Sequence, residues 1–348
     1  MRYFPIILIC LISGASFAQP GRSAFSFTQV PVSPLAAGLG GSQIAAFRGD
    51  VSQTVDNPAF LDSAMHEGVS LGYLNYLSAI NQASVAYARR IDSIGFGSVY
   101  LRYFDYGSFQ EIDENGIDVG QFRAVDYELG VSLAREYKHG IFYGATFKQV
   151  FSNMYRYFAY GLAVDLGAYY KSKDGNLTVG VTADDIGLQL VDYTSNGTSW
   201  FPMSLNAAVS KKFAEAPLVL NLQYSDLQKW DLANTDQDAL DNVEPDPLTG
   251  DLKRSVITLD NLARHLSASV LFVPSEKFNL MLGYNFRRRL ELAFQERPAL
   301  VGFSFGAQVR VKRFGIQYAI SSYHLGGTFN HLAITTNLSQ WYQRRSAS

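Results

Sequence analysis

Residues 69–338 form a succession of short segments in which apolar side chains alternate with polar or small ones. In residues 125–134, alternate positions are apolar (Val125, Tyr127, Leu129, Val131, Leu133) and the positions between them are polar or small (Asp126, Glu128, Gly130, Ser132, Ala134). Because successive side chains of a strand point to opposite faces, such a segment has one apolar and one polar face. This period-two pattern predicts an all-β fold and is typical of a transmembrane antiparallel β-barrel.

The pattern divides into fourteen predicted strands: 69–76, 82–89, 94–104, 124–135, 141–150, 157–170, 176–183, 203–210, 218–225, 265–272, 278–286, 300–309, 314–321 and 329–338. The length of each connection follows its position in the series. The even-numbered connections are all short, as hairpin turns are. Four odd-numbered connections are long, namely 105–123, 184–202, 226–264 and 287–299. Long and short connections are therefore expected at opposite rims of the barrel.

This asymmetry is typical of bacterial outer-membrane barrels, which combine an even number of strands with short periplasmic turns and longer extracellular loops. A soluble β-sandwich is the alternative all-β architecture, but nothing in a sandwich relates loop length to strand parity. We therefore predict a barrel over residues 69–342, followed by a C-terminal tail at 343–348. Its long loops are expected outside the cell, and both termini are expected in the periplasm.

The beginning of the chain has the pattern of a signal peptide over residues 1–18, with Arg2, an apolar stretch at 6–12 and small residues up to Ala18. Cleavage after Ala18 removes Cys10, the single cysteine, so no disulfide is expected. Charged residues are 17% of the chain and aromatic residues 14%, which suits a lipid-facing surface with aromatic girdles. A formal net charge of −2 gives no basic footprint for nucleic acid.

The predicted inward positions of the sixth and eleventh strands are mostly small or polar: Ala159, Gly161, Ala163, Asp165, Gly167, Asn279, Met281, Gly283 and Asn285. A barrel of fourteen strands is too wide for its wall side chains to fill, so its lumen holds water, a ligand or a plug. Residues 19–68 lack alternation and are rich in small residues. They are the predicted hatch or plug, and a periplasmic extension is the alternative.

The same segment contains a series of small and turn-forming residues: Gly38, Gly40, Gly41, Asp50, Asn57, Pro58 and Ala59. This series resembles the N-terminal pattern of FadL-like outer-membrane barrels, and most closely the PorV/PorQ branch associated with the type IX secretion system. The length and the single barrel are most similar to PorQ-like members. The resemblance implies a plugged fourteen-strand barrel that anchors a PorZ-like surface protein, beside a PorU-like sortase and a PorV-like barrel. Many barrels end on an aromatic residue, whereas here Trp341 and Tyr342 precede further residues.

Two loop clusters are candidate contact sites. The longest loop is acidic, with Asp236, Asp238, Asp241, Glu244 and Asp246. It departs from a calcium-binding loop, which needs Gly where Ala239 stands, so it is either a solvated surface or a partner-binding loop. The second cluster is basic and comprises Arg287, Arg288 and Arg289. It is either a contact for lipopolysaccharide phosphates, which Arg binds in bidentate fashion, or an ordinary solvated rim.

No catalytic pattern stands out, and neither an enzyme nor a cofactor is expected. The histidines are scattered, are expected at rims or turns and form no metal-binding pair: His66, His139, His265, His324 and His331. Two functions remain. One is a non-enzymatic component of a secretion and attachment complex, which binds a surface partner through its loops. The alternative is a FadL-like channel for a hydrophobic small molecule, which needs a contiguous apolar lining.

Overall fold

The structure is a computed structural model, and it describes residues 24–46, 49–77, 79–92, 94–193, 201–232, 258–292, 300–324 and 327–342. The described residues form one closed antiparallel barrel, in which each strand pairs with its neighbours in sequence and β1 also pairs with β14. The strands are β1 Gly68–Leu77, β2 Ile80–Ile91, β3 Gly95–Ile112, β4 Asp118–Glu136, β5 Ile141–Met154, β6 Tyr157–Lys171, β7 Leu177–Val191, β8 Ser204–Lys212, β9 Leu218–Tyr224, β10 Leu266–Ser275, β11 Phe278–Asn285, β12 Phe303–Val311, β13 Phe314–His324 and β14 Gly327–Asn337. The predicted fourteen-strand architecture is confirmed.

Helices are few and short. In the described residues, α1 is Pro34–Gly38, α2 is Leu259–Arg264, α3 is Phe286–Leu292 and α4 is Ser339–Tyr342. Single-turn 3-10 helices occur at Ser26–Gln29, Val51–Val55, Pro58–Phe60 and Ser63–Met65. None of the helices in these described ranges has the length and apolarity needed to cross a bilayer.

The connections are distributed over two rims. The short-turn rim carries the six even-numbered connections, all of them tight, as predicted. The long-loop rim carries the β7–β8, β9–β10 and β11–β12 connections, and also three tight turns that join β1 to β2, β5 to β6 and β13 to β14. Strand β1 begins and β14 ends at the short-turn rim, where Gly68 pairs with Asn337.

The predicted long loop at 105–123 is wrong. Strand β3 continues to Ile112 and β4 begins at Asp118, so that these residues form a hairpin beyond the last residue of β3 that pairs with β2. The phenyl rings of Phe109 and Phe122 stack across this hairpin with their centroids 5.3 Å apart. A bulge between Asp105 and Ser108 interrupts the ladder there, which hides the alternation in the sequence.

Two other boundaries differ from the prediction for similar reasons. Strand β7 was expected to end at residue 183, but it continues to Val191 past an irregularity in its pairing with β6. Phe286 was placed in the eleventh strand, but it is the first residue of α3. The predicted loop at 287–299 therefore begins as helix.

The outer face of the barrel is apolar and the inner face is polar or small. In β6, Leu166 is 48% exposed whereas its neighbour Asp165 is 1% exposed. The predicted outward positions Tyr160, Leu162, Val164, Leu166 and Ala168 all alternate with buried residues. Because a soluble surface of this size would not be apolar on every strand, the outer face indicates a membrane-spanning barrel.

Candidate functional site

The segment before β1, described at residues 24–46 and 49–67 and here called the plug, lies inside the barrel. Its hydrogen bonds reach inward-facing side chains on well-separated strands: Arg102 of β3, Thr178 of β7, Gln223 of β9, Asn285 of β11, and Gln317 and Ser321 of β13. Bonds to wall strands in every direction are possible only for a segment within the lumen. The described residues of this segment therefore form a plug and not a periplasmic extension.

Near the short-turn rim, along β2 to β6, the lumen contains an apolar cluster that is here called the basal layer. Val51, Ala59, Phe60, Leu61 and Met65 of the plug pack there against wall side chains, which are Ala86, Ala88, Tyr100, Ala134 and Tyr169. The rings of Phe60 and Tyr169 meet edge to face at 5.0 Å between centroids.

Wall glycines allow the plug backbone to approach this closely. A Cβ added at Gly144 would lie 2.7 Å from the carbonyl carbon of Pro58, and one at Gly167 would overlap the side chain of Asn57. Buried Thr54 of the plug lies in the same region, with its hydroxyl oxygen 3.4 Å from that of Ser98 on β3. Since no side chain fits between plug and wall at these glycines, the basal layer is closely packed.

The residues of the predicted plug motif occupy defined turns and caps. Gly40 and Gly41 have φ angles of 98° and 145°, which L-residues with a side chain rarely adopt. Asn57 caps the 3-10 helix Pro58–Phe60 by accepting the N–H of Ala59. It also donates its side-chain N–H to the carbonyl of Ile44 at 3.0 Å, so this residue ties two parts of the plug together.

The remaining motif residues anchor the plug to the wall. Asp50 caps the helix Val51–Val55 and accepts a 2.7 Å hydrogen bond from Gln317 of β13. Gly38 ends α1, where an added Cβ would lie 2.9 Å from the sulfur of Met281. The motif thus marks positions where backbone conformation or close contact leaves little choice of residue.

Above the basal layer, the middle of the lumen contains buried ion pairs and is here called the charged layer. Arg102 pairs with its cross-strand partner Glu128 at 2.5 Å, and both side chains are buried. The Arg102 guanidinium also donates to the carbonyls of Phe27, Thr28 and Val30 in the plug. One wall cation therefore satisfies three backbone acceptors of the plug.

A second buried cluster surrounds Lys148. Its ammonium pairs with Asp165 at 2.7 Å and with Asp185. Asp185 in turn accepts a hydrogen bond of 2.9 Å from the hydroxyl of Thr28. Burying charges in this way is tolerable only because each is paired and hydrogen-bonded.

Between the charged layer and the plug lies a cavity of about 200 Å³, here called the chamber. Asp56, Asp184, Gln223 and Arg288 line it together with four residues of the ion-pair clusters, Arg102, Lys148, Asp165 and Asp185. Burial raises the pKa of Asp56 to about 8, against the opposing effect of the Arg102 cation. The chamber is polar and suits water or a small polar solute rather than an apolar molecule.

Toward the long-loop rim the lumen is lined by rings and is here called the aromatic layer. Phe25 and Phe27 of the plug pack there against Phe104, Val150 and Phe201. Beside them, the ring centroids of Tyr76 and Phe329 lie 3.9 Å apart, and those of Tyr323 and Phe329 lie 4.1 Å apart. The described chain therefore begins on the long-loop side of the lumen, whereas α4 follows β14 at the short-turn rim.

The three arginines predicted to contact lipopolysaccharide lie in α3 and face different surroundings. Arg287 pairs with Asp226 at 2.8 Å and with Glu291 at 3.0 Å. Arg288 lines the chamber, and its guanidinium lies 3.7 Å from the centroid of the Tyr323 ring. Arg289 lies one position further along the helix. A lipopolysaccharide contact of the three residues stays a prediction.

The predicted partner-binding residues Asp236, Asp238, Asp241, Glu244 and Asp246 lie outside the described residues, as do the predicted signal peptide and tail. Among the residues that are described, no group of three or more His, Cys, Asp or Glu side chains is placed to hold a metal. The expectation that all five histidines lie at rims or turns is wrong for His331, which is buried within β14.

Sequence reasoning missed the cations of the charged layer and the chamber residue Asp56. Arg102 and Lys148 occupy inward positions of β3 and β5, and strand parity was sufficient to identify them as lumen-facing. Nothing in the sequence places Asp56 opposite them, because the path of the plug has no periodicity.

Comparison with known proteins gives the fold. No protein-family model and no curated protein sequence matches the chain. The crystal structure of the Pseudomonas putida toluene transporter TodX is similar with a TM-score of 0.50 and 12% identity, over 88% of this chain and 96% of that one. A TodX monoaromatic hydrocarbon channel with the deltaS2 mutation gives 0.50 and 13% identity, over 89% and 98%. A Pseudomonas aeruginosa FadL homologue gives 0.45 and 12%, over 89% and 98%.

The likeness to TodX shows a shared barrel fold. It does not test the narrower resemblance to the PorV/PorQ branch, which stays a prediction.

Proposed function

We propose that this chain is a non-enzymatic outer-membrane barrel that anchors a surface partner through its long-loop rim, as a component of a type IX secretion and attachment complex. The observation that carries the proposal is the closely packed basal layer, in which the plug meets Gly144 and Gly167 with no room for a side chain. A plug packed against the wall in this way is not expected to move for transport, which leaves the rim as the surface for recognition.

The charged layer supports the same function. Arg102 donates directly to a plug carbonyl, and Lys148 is connected to the plug through Asp185. Removing the plug would therefore take hydrogen-bond partners away from buried charged groups. Such a lumen is built to hold its plug rather than to release it for each transported molecule. A PorZ-like protein is the partner that the N-terminal resemblance implies, with a PorU-like sortase and a PorV-like barrel as further members.

A FadL-like channel for a hydrophobic small molecule is the second candidate, and the fold comparisons favour it over the anchor. TodX, which shares the fold, is a toluene transporter. The aromatic layer around Phe104 and Phe329 would be the part of the lumen that contacts an apolar solute. The charged layer lies directly below it and offers that solute no apolar continuation.

Affinity purification from outer membranes in mild detergent, followed by mass spectrometry, tests the anchor against the channel. The anchor function predicts that a large surface protein is recovered with the barrel, and that deletion of residues 233–251 releases it while the barrel stays folded. Recovery of the barrel alone with a stoichiometric apolar ligand would establish the channel instead.

A matched control separates the acidic loop from other acidic surface. Replacing Glu114 by Gln and Asp118 by Asn at the β3–β4 hairpin removes two exposed carboxylates from the same rim. The partner is expected to remain with this variant. Loss of the partner from the control as well would show that general surface charge, and not the loop at 233–251, holds it.

A further inference from the structure

The outer face of the barrel carries a groove of about 450 Å³ across β8 to β12. Ala268 and Val270 of β10 form its floor and are half-buried, whereas Leu222 and Leu282 stand exposed on either side. The groove is separate from the lumen, because its floor residues alternate with the inward-facing Ser267 and Ser269.

The register of the sheet explains why a groove forms here. Ala268 pairs with Leu222 on β9 and with Tyr284 on β11, so a single methyl group lies between two large side chains. Val270 likewise lies between Leu220 and Leu282. A depression of this kind in a lipid-facing wall has apolar atoms on three sides, and it gains dispersion energy when a chain of methylene groups fills it.

The two ends of the groove differ in chemistry. Tyr284 and Phe303 close the end toward the long-loop rim, whereas Lys211 lines the end toward the short-turn rim. Lys211 is the next-to-last residue of β8, with an exposed side chain. A long lysine side chain at this position can keep its ammonium group at the level of lipid headgroups.

The short-turn hairpins around this sector are also basic. The β8–β9, β10–β11 and β12–β13 hairpins carry the cations Lys211, Lys212, Lys277, Arg310, Lys312 and Arg313, against the two acids Glu215 and Glu276. Clustered cations beside an apolar surface attract anionic lipid headgroups.

We propose that this groove binds one anionic glycerophospholipid of the leaflet at the short-turn rim. The phosphate contacts the ammonium group of Lys211, and one acyl chain lies over Ala268 and Val270 and ends beneath Tyr284 and Phe303. The shape of the groove selects an extended apolar chain, and its single cationic end sets the direction in which the lipid lies. The chemistry is that of phosphatidylglycerol, in the leaflet that we infer to be periplasmic.

Native mass spectrometry of the full barrel in mild detergent, with added phosphatidylglycerol, tests the proposal. Ala268→Leu fills the floor of the groove, and Lys211→Gln removes its cation. Lys211→Gln is expected to lower the fraction of barrel carrying one phosphatidylglycerol by about five-fold, since one lysine near a membrane surface contributes about 1 kcal/mol. Ala268→Leu is expected to lower the same fraction because its side chain occupies the place of the acyl chain. Ala307→Leu, on the outer face of β12 but outside the groove, and Lys173→Gln, on a distant hairpin, are the matched controls and should retain the lipid.

Three results would overturn the proposal. One is equal retention of phosphatidylglycerol by the wild type, Ala268→Leu and Lys211→Gln. Another is equal loss from the control variants, which would indicate lipid spread around the whole wall. The third is displacement of the bound phospholipid by equimolar lipid A, which would assign the site to the opposite leaflet. Heat-modifiable mobility on gels shows that each variant is folded before lipid is added, so that only folded barrels are compared.

Discussion

The basal layer and the charged layer hold the same plug by different physical means. In the basal layer, Phe60 and Pro58 meet wall atoms at van der Waals contact, and glycines remove every side chain that would interfere. In the charged layer, Arg102 and Lys148 line a polar chamber and bind through ion pairs and hydrogen bonds. The first kind of contact tolerates no added volume, and the second tolerates no unpaired charge.

This difference between the two layers indicates where the barrel is sealed. Close packing excludes water, whereas the charged layer surrounds a chamber in which polar groups face open space. We therefore assign the seal to the basal layer and the orientation of the plug to the charged layer. Each of the following changes breaks one layer while leaving the other intact.

The largest effect on plug seating is expected from added volume in the basal layer. Gly144→Leu would place a side chain against the Pro58 backbone and should destabilise plug seating by about 3 kcal/mol. Protease sensitivity of the plug in membrane fragments measures this. The neighbouring Ala145 faces outward and is exposed, so Ala145→Leu should leave the plug protected. Equal protection of the plug in both variants would mean that the basal layer is not closely packed.

A broken ion pair in the charged layer is expected to affect the unfolding of the whole barrel. Arg102→Met leaves the carboxylate of Glu128 buried and unpaired, which typically costs about 3–5 kcal/mol. The midpoint of guanidinium unfolding in detergent should fall accordingly. Adding Glu128→Gln removes the stranded charge and should restore most of the loss. A double variant as unstable as the single one would show that the carbonyl contacts of Arg102, rather than its ion pair, are what matter.

An effect of a different kind, which depends on pH, is expected from Asp56. In the seated plug its pKa is raised by burial to about 8, whereas in the released plug it ionises near its ordinary 3.8. Its contribution to plug seating is therefore fully present below pH 3.8 and is lost as the pH rises toward 8. Asp56→Asn should flatten the dependence of plug protection on pH over this window.

Asp174 provides the control for this titration. Hydrogen bonds from Ser172 and Asn176 lower its pKa to about 2, so its contribution changes only below pH 3.8. Asp174→Asn should leave the slope between pH 4 and 8 as in the wild type. An unchanged slope in Asp56→Asn would contradict the assignment of the pH effect to Asp56.

The smallest effect is expected from a single hydrogen bond between plug and charged layer. Thr28→Val removes the bond from its hydroxyl to Asp185 but leaves the pairing of Lys148 with Asp165 and Asp185. A loss of about 1.5 kcal/mol is expected, at the lower end for a hydrogen bond to a charged group. Hydrogen exchange of the plug amides measures it, and Thr28→Ser, which keeps the hydroxyl, should behave as the wild type.

Strand order and facing were predictable because strand parity is a local property. Asp126, Glu128 and Asp165 were correctly placed inside, and Leu162, Leu166 and Leu282 outside, from the sequence alone. The same reasoning placed the ends of β3 and β7 too early, because a bulge adds one residue and so reverses the alternation.

The pairing inside the lumen was not predictable in this way. Arg102 and Glu128 are cross-strand partners, so register could have suggested their contact once the strands were aligned. The bonds of Arg102 to Phe27 and Val30 join residues more than seventy positions apart, and no periodic pattern in the plug points to them. Long-range contacts of irregular segments depend on the tertiary fold rather than on local sequence.

A reversible lock on the plug tests the central claim most directly. Thr54 in the plug and Ser98 on β3 have hydroxyl oxygens 3.4 Å apart, so cysteines at these two positions would place their sulfur atoms beside each other for oxidation to a disulfide. In Thr54→Cys/Ser98→Cys the anchor function predicts that the surface partner is held equally in the oxidised and reduced states. The contradicting result is uptake of an apolar solute that stops on oxidation and resumes on reduction. That result would show that the plug must move for function.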